Sequence, residues 1–183
     1  MKSRIHWLAP LLALPLFGCG PGDVFGPGRN EFAPQCPAPR LIPSLADLTR
    51  FAGPGPSHDI TDLIVQARVI AVNGNCAPGD NKSTLAAVVH ISISVQRGPA
   101  MQGREADVPV FLAVTQGDDV KDKQVFPVHV VFPPNVDRLS MTSPDITLNL
   151  PVNQNVSGAS YGLIAGFQLT PDELNVNRRA TGG

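Results

Sequence analysis

The stretch from Leu85 to Gln96 constrains this chain more than any other. Leu85, Ala87, Val89, Ile91, Ile93 and Val95 alternate without a break with a second set that includes His90, Ser92, Ser94 and Gln96. Side chains of an extended strand point to opposite faces in turn, so this pattern gives one apolar face and one polar face, whereas a helix would scatter the same residues around its axis. Arg97-Gly98-Pro99 ends the run. A strand this long needs hydrogen-bonded neighbours and a second layer over its apolar face.

Other segments share the period. Leu63, Val65, Ala67, Val69 and Ala71 fall on one face, opposite Gln66 and Arg68, and Asn73-Gly74 after them predicts a hairpin turn. Val108 to Thr115 is almost wholly apolar, as for a strand covered on both faces, and Gln116 to Asp122 reads as a charged turn. Val125 to Phe132 places Phe126, Val128, Val130 and Phe132 on one side. Ile146, Leu148 and Leu150 form a shorter strand, and Tyr161, Leu163, Ala165 and Phe167 the last. These spacings predict a mainly β fold, an antiparallel β-sandwich of immunoglobulin-like or similar kind with six or seven strands. Two short helices are expected. Ser44 and Asp47 have capping-box spacing ahead of Leu48 and Phe51. Thr170-Pro171-Asp172-Glu173 has the residues of a helix start, with Leu174 set to pack on the sheet and Arg178 and Arg179 near the helix end. The domain is expected over 36–179, with a disordered tail at 180–183.

The N-terminus has another character. Met1-Lys2-Ser3-Arg4 is basic, and Ile5 to Leu16 is apolar. That run is too short for a hydrocarbon core, which takes ~20 apolar residues, and reads as an export signal. Leu16-Phe17-Gly18-Cys19 resembles the lipobox of bacterial lipoproteins, with Leu at −3, a small residue at −1 and Cys at +1. Phe17 departs from it at −2. The resemblance implies that the leader 1–18 is removed, that Cys19 is lipidated, on its sulfur and on the new amino terminus, and that the protein is held to a membrane by that lipid. An ordinary secretory signal with an unmodified Cys is the alternative. Gly20, in place of Asp, favours the periplasmic face of the outer membrane by the sorting rule of enteric bacteria. Removal of the leader would leave 15 acidic against 12 basic residues, and no Trp.

Residues 19–35 hold Cys19 and then seven Gly or Pro in sixteen positions, which suits a tether between lipid and domain. An ordered strand at Val24-Phe25 is the alternative. Two cysteines then remain, Cys36 and Cys76. In an oxidising compartment such a pair forms a disulfide. A redox or metal pair is the other reading, and it lacks both a CxxC and a His at ligand spacing.

From Cys36 onward the chain resembles a group of alphaproteobacterial lipoproteins to which no activity is attached. Arg97-Gly98-Pro99, Phe111-Leu112-Ala113-Val114, Lys123-Gln124-Val125-Phe126-Pro127-Val128 and Gly166-Phe167-Gln168-Leu169-Thr170-Pro171-Asp172-Glu173-Leu174 carry the resemblance. Val110 stands where an aromatic is expected. The resemblance implies a small, exported, lipidated β protein and assigns no functional residue.

Chemistry-bearing patterns are sparse. Gly158-Ala159-Ser160-Tyr161-Gly162 matches G-x-S-x-G, but a nucleophile elbow needs a strand before it and a helix after it, and here a strand follows. Ser57-His58-Asp59 are neighbours in sequence, whereas a triad joins separated residues. His90 and His129 lie on polar strand faces; histidines from separate elements could meet at a metal, though no spacing requires it. Gly74 to Asn81 approaches a P-loop but has Asp80-Asn81 where Lys and Ser/Thr are needed. Asp118, Asp119 and Asp122, beside Lys121 and Lys123, lack the layout of a calcium loop. A net charge of −1 argues against nucleic acid as a partner. No catalytic, cofactor-binding or metal-ligating set is assigned. The expectation is a non-enzymatic accessory or scaffold lipoprotein meeting another envelope component. The alternatives are a small-ligand-binding lipoprotein linked to transport and a cell-envelope hydrolase.

Overall fold

The alternating segment forms the spine of the larger sheet in a computed structural model that describes residues 35–53, 58–81 and 83–180. It is strand β4, Thr84–Arg97, and its odd-numbered side chains from Leu85 to Val95 are all buried. On one side β4 pairs with β3, Leu63–Pro78, which pairs in turn with β2, Asp47–Phe51. On the other side two short strands divide its length: β7, Arg138–Thr142, and β8, Ile146–Pro151. The second sheet has the order β1 (Ala38–Leu41), β9 (Tyr161–Phe167), β5 (Glu105–Gln116) and β6 (Asp119–Val131).

The two sheets pack face to face as a β-sandwich. The inward row of β4 meets Val108, Val110, Leu112 and Val114 of β5 and Leu163, Ala165 and Phe167 of β9 in one apolar core. Each fully buried Leu, Ile, Val or Phe there contributes roughly 1.5–3 kcal/mol by leaving water. β5 is covered on both faces, as its apolar run predicts. Phe111, on the outer side, is also buried, with the Lys123 ammonium 4.6 Å above its ring. Phe126, Val128, Val130 and Phe132 share the inward side of β6 and the residue after it, and the last three are buried. The C-terminal helix α2, Pro171–Ala180, begins in a capping box. Thr170 N–H donates to Glu173 Oε2 (2.8 Å) and Glu173 N–H to Thr170 Oγ1 (3.3 Å).

Several expectations are corrected. The helix expected from Ser44 is a single turn, α1 (Pro43–Ala46), and Asp47–Phe51 is the strand β2. Burial decides this: Leu48 reaches the core only from an extended backbone, and the Asp47 carboxylate then receives Arg68 Nε at 2.6 Å instead of capping a helix. Asn73-Gly74 is not a turn. β3 runs on to Pro78, and the chain has reversed by Thr84, where Gly79 N–H donates to Thr84 O (2.9 Å). Gly74 is needed because a Cβ there would collide with the Val88 carbonyl across the ladder. Ala71 leaves the inner face of β3 because a bulge between Val69 and Ala71 shifts the register and turns Val72 inward. β1, β2 and β7 add three strands to the six read from sequence, and β1 pairs with β9 in parallel, so the sandwich is not wholly antiparallel. Leu174 is only half-buried; the buried side chains of α2 are Glu173 and Asn177. Ala180, assigned to the tail, closes α2, and 181–183 lie outside the described residues, as do the leader, Cys19 and the tether up to 34.

Cys36 and Cys76 form a disulfide with Cα atoms 5.7 Å apart. It fastens the residues leading into β1, in one sheet, to the far end of β3 in the other. The sequence separation is 40 residues, for which the chain-entropy account gives about 4 kcal/mol of stabilisation. Cys76→Ser is expected to lower the unfolding free energy by roughly that amount in urea titrations, while a reducing agent lowers wild type to the level of the variant and leaves the variant unmoved.

Candidate functional site

The polar groups singled out in the sequence do not meet at one place. The ring of His58 stacks on Phe51, with centroids 4.4 Å apart and an interplanar angle of 6°. The neighbouring Asp59 caps a short 3-10 turn, accepting from Thr61 N–H at 2.9 Å, and that hydrogen bond holds its carboxyl below the usual value. Ser57 lies outside the described residues. His90 is on the outer face of β4, with Nδ1 3.4 Å from Asp145 Oδ1.

Gly158–Ser160 forms a 3-10 turn that leads directly into β9. Ser160 Oγ accepts from Ser157 N–H at 3.2 Å and faces solvent, without the strained strand-to-helix bend of a nucleophile elbow. Gly158 has a packing reason. A Cβ there would strike the Gln35 carbonyl oxygen and lie 2.5 Å from Leu85 Cδ2. At the hairpin tip near 118–122, Asp119 and Asp122 are engaged. Lys121 Nζ meets Asp119 Oδ2 at 3.1 Å, and Asp122 accepts from Lys123 N–H (2.8 Å) and Gln124 Nε2 (2.9 Å). The stretch resembling a P-loop is the end of β3 and its reversal. Among the described residues, no group of three or more His, Cys, Asp and Glu converges as a metal site.

His129 has a partner that spacing alone does not reveal. Register places it directly across from Asp107, and Nδ1 lies 2.9 Å from Asp107 Oδ1. Nε2 is 3.9 Å from Glu105 Oε2. The hydrogen bond to Asp107, aided by the charges of Asp107 and Glu105, raises the His129 pKa above its ordinary 6.5.

The candidate site is a cleft of about 600 Å³ at the seam between the sheets, where β6 faces β8. This volume lies in the range of small-molecule clefts. Val114 and Tyr161 supply apolar surface and Gln116 and Gln124 amides, while residues 147–151 of β8 line it consecutively. Tyr161 ties β9 to the end of β8 by donating its hydroxyl to Pro151 O at 2.7 Å. A second groove, about 260 Å³ and chiefly apolar, runs between β1 and the β3–β4 ladder beside the disulfide. Neither was legible in the sequence, because each depends on which strands end up at the sheet edges. The chain matches no protein-family model, no curated protein and no solved structure.

Two outcomes are expected. The ring protons of His129, followed by NMR, should titrate with a midpoint above 6.5, and Asp107→Asn should bring it down; equal midpoints would contradict the pairing. Because the folded-state pKa is the higher one, the stabilisation from this pair is complete below about pH 6.5 and disappears as pH rises through the folded value. Gly158→Ala should destabilise the domain by about 1–3 kcal/mol through overpacking, measured by chemical denaturation.

Proposed function

We propose that this chain is an exported lipoprotein whose β-sandwich acts as a non-enzymatic accessory or scaffold module at the periplasmic face of the outer membrane. Cys19 carries the lipid, residues 20–35 act as tether, and the folded part meets another envelope component. The Cys36–Cys76 disulfide carries the reading. Its formation suits an oxidising compartment, and it lies just after the tether, where a pull on the chain would enter the domain. The leader and the Leu16-Phe17-Gly18-Cys19 pattern support the same address. The local roles of Ser160, His58 and Asp59 support a non-catalytic module.

Palmitate labelling with mass spectrometry of the full chain, expressed in a lipoprotein-processing bacterium, tests the anchor. The expected product begins at Cys19 and carries acyl mass. Cys19→Ala should be unlabelled and released from membranes on fractionation. A mature protein that begins elsewhere, or an unmodified Cys19, overturns the reading.

A further inference from the structure

The two walls of the cleft between β6 and β8 differ in the state of their backbone. In a strand the N–H and C=O of one residue point to the same neighbour, and those of the next residue point the other way. Ser143 N–H donates to Ile91 O (2.8 Å) and Arg97 N–H to Asp137 O (2.7 Å), so the odd-numbered residues of β4 turn their backbone toward β7 and β8. Their partners on β8 are Ile146, Leu148 and Leu150, opposite Val89, Ala87 and Leu85. Thr147, Asn149 and Pro151 therefore turn their backbone away from β4 and into the cleft. Tyr161 agrees with this, since its hydroxyl bonds the Pro151 carbonyl from the cleft side. Thr147 and Asn149 are left with both N–H and C=O unpaired among the described residues.

The facing wall is blocked in part. Phe132 N–H donates to Arg104 O (2.7 Å), which sets the even-numbered residues of β6 toward β5 and the odd-numbered ones outward. In the part of β6 that lines the cleft, the outward N–H of Lys123 is already bonded to Asp122 Oδ1 at 2.8 Å. Further along, Pro127 has no N–H. Proline and charge are usual guards of an exposed edge. In β8 the outward positions Thr147 and Asn149 have neither, and Pro151 ends the open stretch.

We propose that the Thr147–Asn149 edge of β8 is a docking site for one extended peptide segment of a partner protein, which adds a strand to the larger sheet inside the cleft. This rests on the accessory-module reading and names how its partner is held. An extended main chain is the chemistry that satisfies two N–H and two C=O groups alternating along an edge. Side chains of the added strand would alternate. Those turned inward would meet Val114 and Tyr161, and those turned outward would lie beside Thr147 and Asn149. The motif taken is an apolar residue flanked by polar ones. A second copy fits poorly, because its paired strand would bring the rest of its own sheet against β6 across the seam.

The probe is a library of random ten-residue peptides, selected on the full chain carrying Cys19→Ser, so that lipidation plays no part. Selected peptides should show the apolar-polar alternation and slow amide exchange at Thr147 and Asn149 at least tenfold. Asn149→Pro removes an N–H that the β4 ladder does not use, and should weaken binding at least tenfold with the thermal midpoint little changed. If that variant fails to fold, the exchange measurement on the Cys19→Ser chain decides alone. No enriched peptide, protection confined to other amides, or concentration-dependent dimerisation that protects these amides without peptide would overturn the proposal. Failure of Cys19 labelling would overturn the lipoprotein address and leave this result standing.

Discussion

The inward row of β4 is the constraint on which the rest of the molecule depends. Leu85 to Val95 present six apolar side chains to the core, and a slip of one residue would turn all of them to water. That penalty fixes the register of β3 on one side and of β7 and β8 on the other. It also fixes something less obvious. Once the odd side chains of β4 must face inward, strand geometry sends their backbone groups toward β7 and β8, and the paired residues of β8 answer with theirs. The exposed edge at Thr147 and Asn149 is thus a consequence of core packing on the neighbouring strand.

The C-terminal helix is held by a different force. Its buried side chains are polar. Glu173 accepts from Arg50 Nε at 2.9 Å and from Thr170 N–H, while Asn177 Nδ2 donates to Ser44 O (2.9 Å) and Asp47 O (2.6 Å). Buried polar groups are tolerated when their hydrogen bonds are made, and no buried side-chain nitrogen or oxygen lacks a partner among the described residues. Asn177 reaches one carbonyl within the α1 turn, that of Ser44, and one just after it, that of Asp47. Those groups would be used within a helix continuing past Ala46, so the same bonds favour the change to strand at Asp47. Arg50 adds a tie across the sheets by donating to Asp107 O at 3.2 Å, one strand away from His129.

What the sequence made legible follows from how local each determinant is. β4, β5, β8 and β9 declare themselves because their burial repeats every second residue or runs unbroken. The start of α2 is legible because the Thr170–Glu173 box lies within one turn. The Asn73-Gly74 pair misleads because glycine answers two needs, a reversed backbone or a close approach, and only the position of Val88 on the opposite strand selects the second. The bulge after Val69 leaves no composition signal, so Ala71 and Val72 exchange faces without notice. β2 misleads because helical capping chemistry at Ser44 and Asp47 competes with the demand of Leu48 for the core, and the core prevails. The pairing of His129 with Asp107 and the cleft beside β8 depend on strand order, which no single segment encodes.

The terminal strands of the two sheets are not treated alike, and β3 beyond Arg68 is also open on the side of β2. β1 is short and is preceded by Pro37 and contains Pro39; β2 is short and carries Asp47 and Arg50. β6 holds Pro127 and the charged stretch from Asp119 to Lys123. The fourth edge is divided between β7 and β8 by Ser143-Pro144-Asp145, and β7 carries Arg138. Such features keep sheets from pairing with chance neighbours. Ile146 to Leu150 departs from the rule, but it shares a cleft with β6, whose residues Lys121, Asp122 and Gln124 line the opposite wall. Pro144-Asp145 before it and Pro151 at its end limit the open stretch to Thr147 and Asn149. An edge this short offers room for one extended chain and little for a whole sheet.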